Sequence, residues 1–217
     1  MRALGILGGG MGGAPPFAGL GQGQPNATKF LRGDGQWASP SAGALVPLQT
    51  QIIANVASVD FTTFNNADYN SYLFALEDVL PATNDVMLYM RLSSNGGASY
   101  YSAGYSWDAI KNSTEGGSTN DSQIVLAYDR GASLQAIGNA AGRGISGTVW
   151  LHGAGDTAYV KSLANLIWSG ADASGMAGFG TGSGFLATAT AINAVRFFLE
   201  SGNFSSGTIS MYGLKKA

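Results

Sequence analysis

No cysteine occurs in the 217 residues, which excludes a disulfide framework, thiolate metal ligands and a cysteine nucleophile. Histidine occurs once, at His152, so no cluster of imidazoles can hold a metal; a carboxylate site for Ca²⁺ stays open. Charge is almost as scarce. Asp, Glu, Lys and Arg make up 11% of the chain, against a usual share of about 25%. There are three glutamates (Glu77, Glu115, Glu200) and five lysines, residue types that normally cover the exposed faces of helices. No basic run exceeds Lys215-Lys216 and the net charge is −2, which argues against nucleic acid as a partner. No apolar run approaches the roughly 18 residues needed to span a bilayer, so membrane insertion is not expected. Arg2 followed by Ala3 to Leu7 starts in the order of a signal peptide, but its apolar run gives way to glycine within a few residues.

Glycine, serine, threonine, asparagine and alanine take the place of charge. Glycine is 33 of 217 residues, which helices tolerate poorly and turn-rich sheets absorb. The hydrophobic fraction of 45% is ordinary, so a disordered chain is not expected. The length suits one domain with a full core plus an arm. Residues 1–25 form that arm. It is rich in Gly, Ala and Pro, cannot bury enough surface to fold alone, and offers Ile6, Leu7, Met11 and Phe17 as anchors for a groove on a partner.

From about Thr50 onward, short apolar runs alternate with turn residues. Tyr72, Phe74 and Leu76 share one strand face, as do Val86, Leu88, Met90 and Leu92, and also Val195, Phe197 and Leu199. An alternating stretch over Ile52 to Phe61 is interrupted at Val56 and Val59. Further strands are expected at Tyr100 to Trp107, Gln123 to Tyr128, Gly147 to Leu151, Ala158 to Trp168, Ala191 to Glu200 and Gly207 to Tyr212. Tyr159 to Trp168 also carries a helical spacing, which periodicity alone does not resolve. Gly178 to Gly184 reads as a flexible loop. Eight or nine short strands at this spacing predict an all-β protein, an antiparallel β-sandwich of jelly-roll-like type, over residues 48–217.

Between arm and sandwich lies Asn26 to Pro40, N-A-T-K-F-L-R-G-D-G-Q-W-A-S-P. Asp34-Gly35 is a tight-turn dipeptide, with Gly33 adding freedom for positive φ. Reversal there brings Phe30 and Leu31 close to Trp37. Arg32-Gly33-Asp34 spells the integrin-binding tripeptide, but the turn and a charge pair at its base explain it better. This string resembles the F-L-R-G-D-G-x-W segment of bacteriophage fibre and tail proteins. Asp68 to Leu92, Gly144 to Thr148 and Ala194 to Gly213, closing on S-G-N-x-x-S-G-T-I-x-x-Y-G, are similar to distal domains of phage fibres and spikes.

The resemblance implies a non-enzymatic virion protein, a tail or head fibre, assembled in the host cytoplasm and displayed on the virion surface. It implies a homotrimer: an arm held by capsid or tail proteins, a neck over residues 26–47 built on Phe30, Leu31, Asp34 and Trp37, and a distal sandwich touching the host. Three copies of a weak sugar contact would gain avidity. A purely structural decoration or connector is the first alternative, and a polysaccharide depolymerase the second. The second needs two carboxylates in one cleft, and Glu77, Asp78 and Glu200 supply no convincing pair.

Motifs for other chemistry are weak. Gly8-x-Gly10-x-x-Gly13 matches a dinucleotide fingerprint, but Pro15-Pro16 follows where a helix must begin, so no cofactor is expected. His152, on the face opposite Val149 and Leu151 and beside Trp150, reads as a surface imidazole. Asn120-Asp121 and Asp108 are oxygen ligands without a selective spacing. Asn-x-Ser/Thr triplets at Asn26, Asn112, Asn120 and Asn203 are expected by chance in this composition. The candidates for recognition are Tyr100, Tyr101, Tyr105 and Trp107, near Ser99, Ser102 and Asn95. Rings flanked by hydroxyl and amide groups stack on the C–H faces of sugars and bond to their hydroxyls. The competing reading places alternate rings of this group in the core.

Overall fold

The computed structural model describes residues 29–38, 44–112, 114–128, 136–159, 161–175 and 177–216. The expected anchors Ile6, Leu7, Met11 and Phe17, the glycine fingerprint and the signal-like start lie outside the described residues. The chain divides into two units, Met1–Gly43 and Ala44–Ala217.

In the first unit, β1 (Phe30–Leu31) and β2 (Trp37–Ala38) pair antiparallel, with Leu31 opposite Trp37 and Phe30 opposite Ala38. The reversal is closed by the Gly35 amide bonding the Arg32 carbonyl at 2.9 Å. Positive φ falls on Gly35 (+77°) and not on Gly33. Arg32 and Asp34 form an ion pair at 3.1 Å, and Asp34 also accepts the Gln36 amide. Phe30 and Leu31 remain exposed.

The second unit is an antiparallel sandwich, and every regular element among the described residues is a strand. Its strands are β3 (Leu45–Val56), β4 (Ser58–Phe61), β5 (Tyr69–Pro81), β6 (Leu88–Ser93), β7 (Tyr105–Lys111), β8 (Thr114–Asp121), β9 (Ile124–Ala127), β10 (Ile145–His152), β11 (Lys161–Ala171), β12 (Ala177–Leu186), β13 (Ala194–Leu199) and β14 (Phe204–Lys215). An eight-stranded sheet runs β3-β14-β5-β10-β11-β12-β7-β8, and a four-stranded sheet runs β4-β13-β6-β9. The sandwich begins at Ala44, four residues before the expected 48.

Period-two burial explains the layering. Tyr72, Phe74 and Leu76 of β5, Leu88, Met90 and Leu92 of β6, and Val195, Phe197 and Leu199 of β13 are all buried. Phe74 from the large sheet meets Phe61 and Phe197 from the small one edge-on, with centroids 5.3 Å away in both pairs, and Phe61 and Phe197 lie 6.1 Å apart. Burying each such ring contributes about 1.5–3 kcal/mol. The interruption near Val56 marks a change of sheet. Asn55 takes φ +50°, and the chain leaves β3 of the large sheet for β4 of the small one.

The strand expected at Ala158 to Trp168 is found in β11, paired with β10 and β12, which resolves the helical spacing left open there. Other expectations need correction. Residues 100–104 precede β7 as a turn in which Gly104 has φ +83°. Gly178 to Gly184 is not a flexible loop but the middle of β12. Its glycines fall at every second position, and Gly182 and Gly184 lie so near β7 that an added Cβ would stand 3.0 Å from the Asp108 carbonyl oxygen and 2.9 Å from that of Ser106. Finally, β8 has no apolar side chain to announce it. It is recruited by pairing with β7, Trp107 facing Ser118 and Ile110 facing Glu115.

Candidate ligand-binding site

The four candidate aromatics do not share one surface. Tyr105 and Trp107 point inward from β7. Tyr105 has no exposed surface, and its hydroxyl accepts the Leu92 amide at 2.8 Å, with burial pushing its pKa up to about 12. Alternation along β7 turns it into the core, out of reach of a sugar. Tyr100 lies under Arg196, whose guanidinium carbon is 4.3 Å from the ring centre. The Tyr100 hydroxyl is buried without a hydrogen bond of good geometry; burial, and then the negative charge of Asp60, push its pKa up to about 12. Tyr101 shares a hydrogen bond with Ser94 at 3.1 Å, which draws its pKa below the usual tyrosine value.

Trp107 alone of the four reaches a hollow, about 720 Å³ in volume, beside the β7–β8 edge. Trp107 and Tyr128 line it with rings 5.6 Å apart and tilted by 53°. Asp108, Glu115, Ser118 and Thr119 supply its polar lining. The Tyr128 ring lies directly on Gly116, where a Cβ would be 2.1 Å from Cζ, so only glycine there permits this ring position. Asp121 fixes the other ring: its carboxylate accepts the Trp107 indole N–H at 2.9 Å and the Ser122 amide at 2.6 Å. Burial alone would raise the Asp121 pKa, but hydrogen bonds from Trp107, Ser118 and Ser122 outweigh it and hold the carboxyl below the usual range.

Chemically, the hollow offers two tilted aromatic faces bordered by the hydroxyl-bearing Ser118 and Thr119, a set suited to a polyhydroxylated ring, while alternation along β7 and β8 turns Asp108 and Glu115 toward the opposite face of the same edge. Among the described residues, no three His, Cys, Asp or Glu side chains converge. Asp121, considered from sequence as an oxygen ligand, is instead occupied by Trp107 and Ser122. Sequence reasoning found Trp107 but missed Tyr128 and Glu115. Tyr128 follows a fully apolar strand, and only the Gly116-Gly117 pair hinted that something packs closely on β8.

His152 is half-buried on the outer face of the large sheet, stacked on Trp150 with centroids 5.7 Å apart and planes within 4°. Its Nδ1 and the Ser71 hydroxyl are 3.1 Å apart, a contact that orients the ring. No family model matches the chain, and no curated protein or solved structure is significantly similar to it.

Proposed function

We propose that this chain is a non-enzymatic virion protein of a phage, a homotrimeric fibre or spike whose sandwich attaches to host-surface glycans. The observation that carries the recognition part is the hollow floored by Trp107 and Tyr128 and rimmed by Ser118 and Thr119. A pyranose ring laid on either aromatic face would keep its hydroxyls within reach of the rim. The virion placement rests on the F-L-R-G-D-G-x-W resemblance. The hairpin agrees with that reading in one respect: a lone two-stranded hairpin is marginal in water, and this one leaves Phe30 and Leu31 exposed. Three copies burying those side chains around an axis would stabilise the neck.

The test is binding of the full chain to a glycan array and to host cells. Binding is expected to fall at least tenfold in Tyr128→Ala and to persist in Tyr89→Ala, which alters the outer face of the small sheet. Equal binding by both variants, or none by the unaltered chain, would overturn the glycan reading.

A depolymerase is a second reading, favoured by Asp108 and Glu115 lining one hollow. Both are exposed, whereas the general acid of a glycosidase needs a proton held by its surroundings. Release of reducing ends from host polysaccharide by the unaltered chain, abolished in Asp108→Asn, would establish hydrolysis in its place.

A further inference from the structure

From β3 to β12, the described outward positions of the large sheet carry little charge. They include Thr50, Ile52, Ser210, Tyr212, Leu73, Ala75, Thr148, Trp150, Thr181 and Phe185. The acidic side chains described there are the neighbouring Glu77 and Asp78, at one end, and His152 is the one imidazole. Register places Tyr212, Leu73 and Trp150 side by side on adjacent strands, forming one apolar row. Ile52 is 83% exposed and Phe185 41%. A surface facing water usually carries charge at roughly a quarter to a third of its positions.

We propose that this face is the surface through which copies of the chain associate, with the Tyr212–Leu73–Trp150 row at its centre. The inference rests on the homotrimer reading above and adds to it the part of the molecule that faces the axis. The occupant is another copy for two reasons. First, a face whose carboxylates, Glu77 and Asp78, are confined to one end brings little like-charge repulsion along the rest of its area when apposed to another copy. Second, its size is of the order an interface needs. Six strands at about 4.8 Å spacing and about seven residues at 3.3 Å rise give on the order of 650 Å² before side-chain relief is counted. That approaches the roughly 800 Å² per partner of a stable interface. The long edge strand β3 belongs to the same region. Its twelve residues carry no ionisable side chain, and Pro47 and the irregularity between Met211 and Tyr212 guard only its first part.

The experiment is the solution mass of the full chain, by light scattering and native mass spectrometry, for the unaltered protein, Trp150→Glu/Leu73→Glu and Arg91→Glu. The expected result is a trimer for the unaltered protein and Arg91→Glu, and a monomer with an unchanged circular dichroism spectrum for the double variant. A trimer that persists in the double variant overturns the assignment of this face and leaves the homotrimer reading standing. A monomeric unaltered chain overturns both. If the double variant does not fold, hydroxyl-radical labelling of the unaltered chain decides. Trp150 and Tyr212 are expected to react at least fivefold more slowly than Tyr159, which is 73% exposed. Labelling at a rate comparable to Tyr159 overturns the assignment.

Discussion

The two outer faces of the sandwich solve the problem of exposure in opposite ways. On the small sheet, charges are present and matched. Arg196 donates to both Asp60 oxygens at 2.8 and 2.6 Å and lies over Tyr100, while Arg91, its guanidinium carbon 4.9 Å from the Phe198 ring centre, donates through its N–H groups to Gln123 and to the Ser122 carbonyl. Arg196 faces Asp60 on one side and Arg91 on the other, so the carboxylate also relieves repulsion between two cations. On the large sheet, Trp150, Leu73 and Tyr212 lie in a row with no charge beside them. A face that satisfies its own polar groups is finished as a water-facing surface; a face of half-buried apolar rings is not.

The largest effect is expected where both faces share support. Phe197→Ala opens the interior between Phe61 and Phe74 and should cost about 3–5 kcal/mol in denaturant unfolding, without favouring either face. If the loss is below about 1 kcal/mol, the two sheets do not depend on this contact. Next comes the charged face. Asp60→Ala leaves Arg196 beside Arg91 and should cost about 1 kcal/mol, because both partners are about one-third exposed. Its assembly mass should not change, and a change would erase the contrast between the faces.

Acid should act at the hollow through Asp121. Its folded pKa is depressed, so its contribution is present above the ordinary carboxylate value near 3.8 and is lost as pH falls through the lower folded value. Tm should therefore be nearly flat from about pH 7 to pH 5 and should fall below about pH 4. Asp121→Asn should lower Tm near neutrality and weaken that acid dependence. An unaltered acid profile in the variant would remove Asp121 as the group that fixes Trp107. The smallest effect on stability belongs to Ile52→Lys. At 83% exposure the change should stay within about 0.5 kcal/mol, yet association measured by sedimentation should weaken. Equal association would show that this edge stays in water.

The strands with apolar alternation were legible. The inward sets on β5, β6 and β13 follow directly from period-two spacing, and His152 sits opposite Val149 and Leu151 as that spacing requires. β8 was not legible, because a strand of Thr, Glu, Gly, Ser, Asn and Asp has no apolar side to read; β7 supplies its partner. β12 failed for a different reason. Its alternating glycines carried the strand period, but glycine ordinarily signals a loop, and only the closeness of β7 shows why side chains are missing there. In the aromatic cluster, two readings of alternate rings stayed open, sugar contact or core, and Tyr105 takes the second. Tyr105 has the composition of a sugar contact and the position of a core residue.

By itself the sequence determined the all-β class, the turn at Asp34-Gly35 and which residues of each apolar strand point inward. These are local matters, settled by side-chain alternation and backbone preference within a few residues. Tertiary structure alone decided that Tyr128 would lie on Gly116 beside Trp107, that Asp60 would reach Arg196 across 136 positions of chain, and that one face would pair its charges while the Tyr212–Leu73–Trp150 row of the other would be apolar. Those outcomes depend on which strands become neighbours, and strand order is fixed by burial of the whole core rather than by any segment.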